Sequence, residues 1–289
     1  MTEPASAPAR PGMLVLVATP IGNLGDLSPR AVHELGRADA IACEDTRRTG
    51  RLLQHAGVDR RPLLVVNDHT EATAVAEVLR RLGAGERVAV VSDAGMPGVS
   101  DPGEQLVRAA IDAGFEVDVV PGPSAAITAL VGSGLPAGRF VFEGFLARKG
   151  SGRAERVREL AGERRTVVLY EAPHRVARTL ADLLDAIGPD RRVVLARELT
   201  KMHQELWRGT LVEAVAHVAE VAPRGEYVVV LDGAPAAVEA TDADIDAALA
   251  DERSMGASTK DAVIAVMTRL GVPKRRVYDR ANQVAGPPA

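Results

Sequence analysis

The first strong pattern in the chain is MLVLVA, Met13–Ala18, an apolar run with no polar residue inside it. Such a run predicts a strand covered on both faces. The segment from Ser28 to Asp39 changes to helical spacing, with Ser28 placed to cap and Pro29 at the first turn, where its missing N–H is not needed. The same alternation recurs. AIAC (Ala40–Cys43), PLLVV, RVAVV and EVDVV read as strands. TRRTGRLLQHAG, TEATAVAEVLRRLGAG and GEQLVRAAIDAG read as helices between them, the first stopping at Gly57. Strand and helix alternating five times predict a parallel, doubly wound sheet.

The second half is patterned differently. FVFEGF, TVVLYE, RVVLARE, QELWRGT and EYVVVLDG read as strands, with helices near 152–161, 174–187 and 211–221. Two of these strands lie almost back to back in LARELTKMHQELWRGT, which predicts a mixed sheet with an antiparallel part. An acidic, alanine-rich linker with a short helix follows Gly233, and then two helices around a GVPK turn. The expected organisation is a disordered tail at 1–12, an α/β lobe at 13–121, a second α/β lobe at 122–234 and a small helical region at 240–285.

Composition narrows this picture. Apolar residues make up 46% of the 289 and aromatics only 3%, so aliphatic side chains must fill the core. The net charge of −4 provides no global field for nucleic acid, and any polyanion site must be a local patch. A single cysteine, Cys43, excludes an intrachain disulfide and a cysteine-built zinc site, and fits a reducing cytoplasm. No apolar run is long enough to span a bilayer, and the first residues lack the apolar core of a secretory signal. No metal-ligand spacing is present.

Candidate chemistry lies in three loops at the carboxyl ends of strands, where doubly wound folds bind ligands. ATPIGNLGD follows the first strand. It is neither G-x-G-x-x-G nor a lysine-bearing phosphate loop, and Gly22 and Gly25 permit close backbone approach. SDAGMPGVSDPG follows the fourth; its three glycines and two prolines stiffen a backbone surface, and its two aspartates, Asp93 and Asp101, are carboxylates. Such a surface suits a cationic or hydroxyl-rich ligand without phosphate, a description that S-adenosylmethionine meets. Turn formation and capping account for both aspartates as well, and Asp101, before Pro102, is expected to cap the next helix. In VPGPSAAITAL, Ser124 is expected to cap a helix whose first amides can face a ligand.

Seven stretches occur in order: LVATPIGNLGDLSPRA, CEDTR, SDAGMPGVSDPG, VPGPSA, FEGFL, YEAPHR and ELTKMHQELWRGT. Together they resemble the ribosomal RNA small subunit methyltransferase I family, within the tetrapyrrole methylase superfamily, and STKDAV…GVPKRRVY resembles its terminal helical region. The resemblance implies a two-lobed α/β tetrapyrrole-methylase-like fold binding S-adenosylmethionine in the cleft. It implies methylation of a cytidine ribose 2′-hydroxyl in the decoding region of small-subunit rRNA, naked or in the assembled subunit, by a cytoplasmic homodimer. The cofactor-binding positions on these motifs are Pro20, Gly22, Asn23, Asp93, Ala94, Gly95, Met96, Pro121, Pro123, Ser124 and Ala125. Gln204 and Ala147 depart from the family pattern, which often has Glu and Pro there.

Methyl transfer to a hydroxyl needs alignment and a proton acceptor. Candidates following strands are Asp45 and Glu44, His69, Glu171 and His174, and Glu198 or Lys201, of which Asp45, Glu171 and Lys201 carry the catalytic expectation. From Phe145 to Arg165 seven basic residues face three glutamates, a local excess of four positive charges. RNA contacts are therefore expected at Arg148, Lys149, Arg153, His174, Arg175 and Arg47, with a second cluster at Lys274, Arg275, Arg276 and Arg280. Phe145, at a strand end, is a candidate to stack on a base. A corrinoid or porphyrinogen methylase, or a non-catalytic ribosome-binding module, are the competing readings.

Overall fold

Five parallel strands build the first sheet of the computed structural model, which describes residues 12–66, 70–235 and 240–284. They are β1 (Met13–Val17), β2 (Ala40–Cys43), β3 (Leu63–Val65), β4 (Arg87–Val90) and β5 (Glu116–Val120), in the order β3-β2-β4-β1-β5. The expected tail at 1–12 lies, but for Gly12, outside the described residues, as does His69.

Alternate residues of each strand serve opposite faces, as a pleated strand requires. Val15, Val17, Ile41 and Ala89 pack with Ala31 and Leu35 of α1 (Pro29–Arg37) and with Leu52 and Leu53 of α2 (Thr46–His55). Leu14, Leu16, Val88 and Val90 pack with Val78 and Leu82 of α3 (Glu71–Gly83) and with Leu106 and Ala110 of α4 (Glu104–Asp112). A sheet covered on both faces accounts for the unbroken apolar runs. Ser28 caps α1 through Ala31 N–H at 3.0 Å, and Gly57 closes α2 in the left-handed region at φ 65°.

The order of the strands also places the site. From β1 the chain crosses to β2 on one side; from β4 it crosses to β5 on the other. The adjacent carboxyl ends of β1 and β4 are thus the switch point, where a crevice opens. ATPIGN and SDAGMPG both start there.

The second sheet is mixed: β6 (Phe140–Phe145), β7 (Thr166–Glu171), β8 (Arg192–Arg197), β9 (Glu205–Thr210) and β10 (Tyr227–Leu231), ordered β6-β7-β10-β8-β9. Only β6 and β7 are parallel; the other pairings are antiparallel. One face carries α6 (Ser151–Gly162), α7 (Pro173–Ile187) and α8 (Leu211–Glu220). The other face, with Val168, Val194, Ala196, Val228 and Val230, carries α5 (Ala125–Ser133), and Ile21 of the first-sheet loop joins the same cluster. The loop after β1 therefore packs on the second sheet.

Residues Pro235–Ala289 form a separate unit. Helices α9 (Asp242–Ser254), α10 (Thr259–Leu270) and α11 (Lys274–Val284) enclose a core of their own around Ile245, Leu249, Val263, Val266 and Val277. The short helix expected in the linker is a 13-residue element started by a Thr241–Asp244 capping box.

Candidate active site

The carboxyl ends of β1, β4, β7, β8 and the start of β10 surround a cavity of about 330 Å³. Ala94, Gly95 and Met96 line one wall, Ser124 and Ala125 another, and Tyr170, Glu171 and Glu226 the side formed by the second sheet. Ile21, Leu199 and Val228 make it largely apolar. Among its lining residues there are three carboxylates, Asp101, Glu171 and Glu226, and no Lys, Arg or His. A wall that presents carboxylates and no basic side chain favours a cation and disfavours a phosphate, although Arg175 and Lys201 partner Glu171 and Glu226 from behind it.

The glycine loop is fixed by backbone bonds. Thr19 N–H donates to Gly95 O at 2.9 Å, and Gly95 N–H returns to Thr19 O at 3.1 Å. The Thr19 hydroxyl donates to Ser92 O at 3.2 Å. Gly95 sits at φ 92°, where a side chain is strained, and a Cβ would lie 3.2 Å from Ile21 and 3.4 Å from the Pro123 carbonyl. All three loops meet at this glycine. Three non-glycine residues with positive φ also border the region: Ser100 at 61°, Glu198 at 48° and Thr200 at 64°. Strain of this kind costs of order 1–3 kcal/mol per residue and concentrates where function requires a fixed backbone.

The structure divides the expected cofactor positions. Ala94, Gly95, Met96, Ser124 and Ala125 line the cavity. Pro20 and Asp93 line a second hollow of about 250 Å³ with Arg48 and Arg51. Asp93 accepts from Asp45 N–H at 3.2 Å and pairs with Arg48 at 3.4 Å, so it braces the start of α2. Gly22 and Asn23 contact the protein instead of the cavity. A Cβ on Gly22 would lie 2.4 Å from the Lys201 side chain, and Asn23 N–H donates to Thr200 at 3.1 Å. The close approach that Gly22 permits is of another loop. Pro121 is exposed, and Pro123 is half-buried behind Gly95. Ser124 occupies the N-cap position of α5, but its hydroxyl makes no capping bond; the Ala126 N–H donates to Tyr170 instead, at 3.3 Å.

The expected bases are occupied. Asp45 caps α2, accepting from Arg47 N–H at 2.8 Å and from the Arg47 guanidinium, which holds its carboxyl down at about 2. Glu171 has almost no exposed surface. It accepts from Ala172 N–H at 2.9 Å and the Thr179 hydroxyl at 2.6 Å, and it pairs with Arg175 at 3.0 Å. Lys201 donates to Glu198 and Glu226, both at 2.8 Å. Burial alone would lower its pKa, but these two partners outweigh that and raise it, so it remains a cation. Glu198 is bound by Lys201 and by Glu226 N–H at 2.9 Å.

Asp101 departs from expectation in the opposite direction. It is not a helix cap, because α4 begins at Glu104 with Gly103 at the N-cap position. Gly103, at φ 130°, cannot serve as the second residue of a helix that Pro102 would lead. The Asp101 carboxyl lines the cavity instead. Burial, and then the nearby Glu44 carboxylate, push its pKa up to about 7, against the Ser92 hydroxyl, which pulls it down.

The expected RNA surface is also reduced. Arg153 is buried, donating to Asp182 at 2.7 Å, Thr179 at 2.9 Å and the Ala147 carbonyl at 3.1 Å. It ties α6 to α7 and faces no solvent. Arg175 is held by Glu171 and the Leu146 carbonyl, Arg156 by Glu143 and Glu159, Arg165 by Glu163 and Arg47 by Asp45. Arg148, Lys149, Arg158, Arg164 and His174 are exposed. In the terminal unit Arg276 pairs with Asp242 and Arg280 with Asp246, which neutralises part of that cluster. Phe145 is 53% exposed at the cavity rim, edge-on to Tyr170 at 5.6 Å.

A parallel sheet with a switch-point cavity, joined to a mixed sheet that closes the cavity, defines a methylase-type fold. The family Tetrapyrrole (Corrin/Porphyrin) Methylases matches residues 13–215. A cobalt precorrin-4 methyltransferase has the same fold, with a TM-score of 0.60 at 16% identity, covering 76% of this chain and 94% of that one. A uroporphyrin-III C-methyltransferase from Thermus thermophilus, complexed with S-adenyl homocysteine, gives 0.54 at 19%, covering 76% and 96%. Sequence similarity is closer elsewhere. The ribosomal RNA small subunit methyltransferase I of Synechocystis sp. is 52% identical over 223 residues, 77% of this chain and 80% of that protein. The protein of the same name from Pseudomonas aeruginosa is 43% identical over 283 residues, 95% and 98%. The chain belongs to the ribosomal RNA small subunit methyltransferase I family.

Proposed function

We propose that this protein transfers a methyl group from S-adenosylmethionine to the ribose 2′-hydroxyl of a cytidine in the decoding region of small-subunit rRNA. The observation that carries the rRNA reading is the extent of the match. The methylase family model ends at residue 215, whereas the Pseudomonas relative matches 95% of the chain and so includes the terminal helices. The cavity suits the donor: carboxylates without basic side chains for a sulfonium, fixed backbone at Ala94–Met96, and apolar walls for the nucleoside. The residues around it hold donor and hydroxyl in line, an alignment worth about 7–11 kcal/mol in favourable systems.

Arg148 and Lys149 follow β6 beside Phe145, exposed and without an ion pair among the described residues. They are the positions best placed for RNA phosphate. Replacing both by alanine is expected to weaken RNA binding and to lower the slope of log affinity against log salt by about 1.4, roughly 0.7 per phosphate contact on a single strand. Filter binding at several salt concentrations reads this slope, and an unchanged slope would remove both residues from the interface. Action in the cytoplasm as a homodimer completes the reading. Ile127 and Val131 of α5, one turn apart and exposed, supply apolar surface for a second copy. Among the described residues no helix is long and apolar enough to cross a membrane.

The deciding experiment incubates the protein with labelled S-adenosylmethionine and small subunits that lack the methyl group, and then maps the label. Label at a cytidine 2′-oxygen supports the proposal. Label on an added porphyrinogen but not on rRNA overturns it in favour of a tetrapyrrole substrate.

A further inference from the structure

The second hollow, of about 250 Å³, lies against the larger cavity and shares a wall with it. Pro20 lines the hollow and Ile21 the cavity; Ser92 and Asp93 line the hollow and Ala94–Met96 the cavity. Successive residues thus turn to opposite sides of one partition, and the Thr19–Gly95 backbone pair ties its two segments together. The chemistry on the two sides differs. No basic side chain lines the cavity, whereas the hollow has Arg48 and Arg51 of α2 against one carboxylate, Asp93, an excess of one positive charge. Asp93 draws Arg48 to 3.4 Å, and Arg51, exposed, has no ion pair among the described residues. Two guanidiniums three residues apart on a helix repel each other, and an anion between them removes that cost. The rest of the hollow is apolar: Pro20, Leu52 and Leu24, the last exposed on the turn Leu24–Asp26. Its volume lies below the roughly 300–1,000 Å³ of pockets that enclose a drug-sized molecule, which leaves room for one nucleotide and none for a duplex.

We propose that this hollow holds the rRNA nucleotide next to the target, with Arg51 and Arg48 on its phosphate and Leu24 and Leu52 against its base. This rests on the reading of rRNA methylation above and adds to it a place for the strand. A guanidinium meets a phosphate through two parallel N–H donors, which fixes direction as well as charge. An unstacked base can settle on apolar side chains only where the RNA is single-stranded, so the hollow selects a loop or an opened strand. With one nucleotide seated on this side of the partition, the next ribose crosses its rim and comes over the cavity. The partition thus separates a cationic donor from an anionic strand, and the two meet only at its edge. Arg51 contributes to holding the strand, independently of Arg148 and Lys149 beyond β6.

The test compares wild type with Arg51→Ala, Arg51→Lys and Leu24→Asp in the full chain, using small subunits that lack the methyl group and labelled S-adenosylmethionine. Single-turnover rates are measured against subunit concentration at several salt concentrations. Arg51→Ala is expected to need about tenfold more subunit for half its maximal rate, the loss of one charged hydrogen-bonding partner. Its slope of log affinity against log salt should fall by about 0.7, one phosphate contact on a single strand. Arg51→Lys keeps the charge and should keep the slope, while recovering only part of the affinity. Leu24→Asp puts a carboxylate where the base sits and should weaken subunit binding at least as much. Both side chains are exposed, so circular dichroism should show each variant folded. Calorimetry with S-adenosylmethionine alone should give wild-type affinity in all three. Arg51→Ala with wild-type affinity and slope overturns the proposal. So does a loss of donor affinity in Arg51→Ala, which would make the hollow part of the donor site. If wild type labels no rRNA, the methyl-transfer reading itself fails, and that outcome is distinct because it appears before any variant is compared.

Discussion

Gly95→Val is expected to reduce affinity for S-adenosylmethionine by about 100-fold, roughly 2.7 kcal/mol. Two effects combine. At φ 92° a β-branched residue is strained, where even an unbranched side chain in left-handed backbone costs roughly 1–2 kcal/mol. The new side chain also meets Ile21 and the Pro123 carbonyl, each already within 3.4 Å of where its Cβ would be. Relief requires the Ala94–Met96 backbone to move away from Thr19, breaking the paired bonds of 2.9 and 3.1 Å and spreading three loops at once. Titration calorimetry measures the loss, and circular dichroism checks that the sheets remain. Wild-type affinity in a folded variant would show that this glycine does not shape the donor site.

Arg153→Ala is expected to lower stability by about 3 kcal/mol, at the low end for breaking a buried pair, because Asp182 keeps 36% of its side-chain surface. For a unit of this size that corresponds to a fall of about 6–12 °C in Tm. The variant leaves Asp182 with only the more distant Arg178, at 3.9 Å, and removes the donor to the Ala147 carbonyl and to the Thr179 hydroxyl, which keeps its bond to Glu171. The salt slope of RNA binding should not change. A variant of normal Tm with a reduced slope would restore Arg153 to the RNA surface.

Arg153 also shows where reading the sequence stops. It lies in a run with an excess of positive charge, and nothing local separates it from Arg148 or Arg158. Its burial depends on Asp182, which lies on α7 beyond β7. The sheets were legible because an unbroken apolar run and helical spacing are local properties. The three loops were legible because glycine and proline announce their geometry at the position where they occur. Side-chain partners are not local. Gly22 correctly signalled a close approach, but the approaching group is Lys201 in the second half of the chain. Asp45, Glu171 and Lys201 were recognisable as groups that can carry protons, but their engagement by Arg47, Thr179 and Glu226 appears only in three dimensions. Asp101 was read as a cap from the proline after it. The signal against that was available in Gly103, which breaks a proline-led helix start.

The Asp101 carboxyl has a thermodynamic consequence. Its pKa is about 7 in the folded chain against 3.8 for an ordinary aspartate, so the folded form holds this proton more tightly than the unfolded form does. The group is therefore neutral to stability below about pH 4, and it erodes stability progressively as the pH rises toward 7. Calorimetric scans should show Asp101→Asn and wild type melting together below about pH 4 and diverging progressively between about pH 4 and 7, with the variant the more stable and the difference constant above about 7. The free protein is thus weakest in the pH range where the carboxylate is ionised, and a cation settling in the cavity restores what the ionised group has removed.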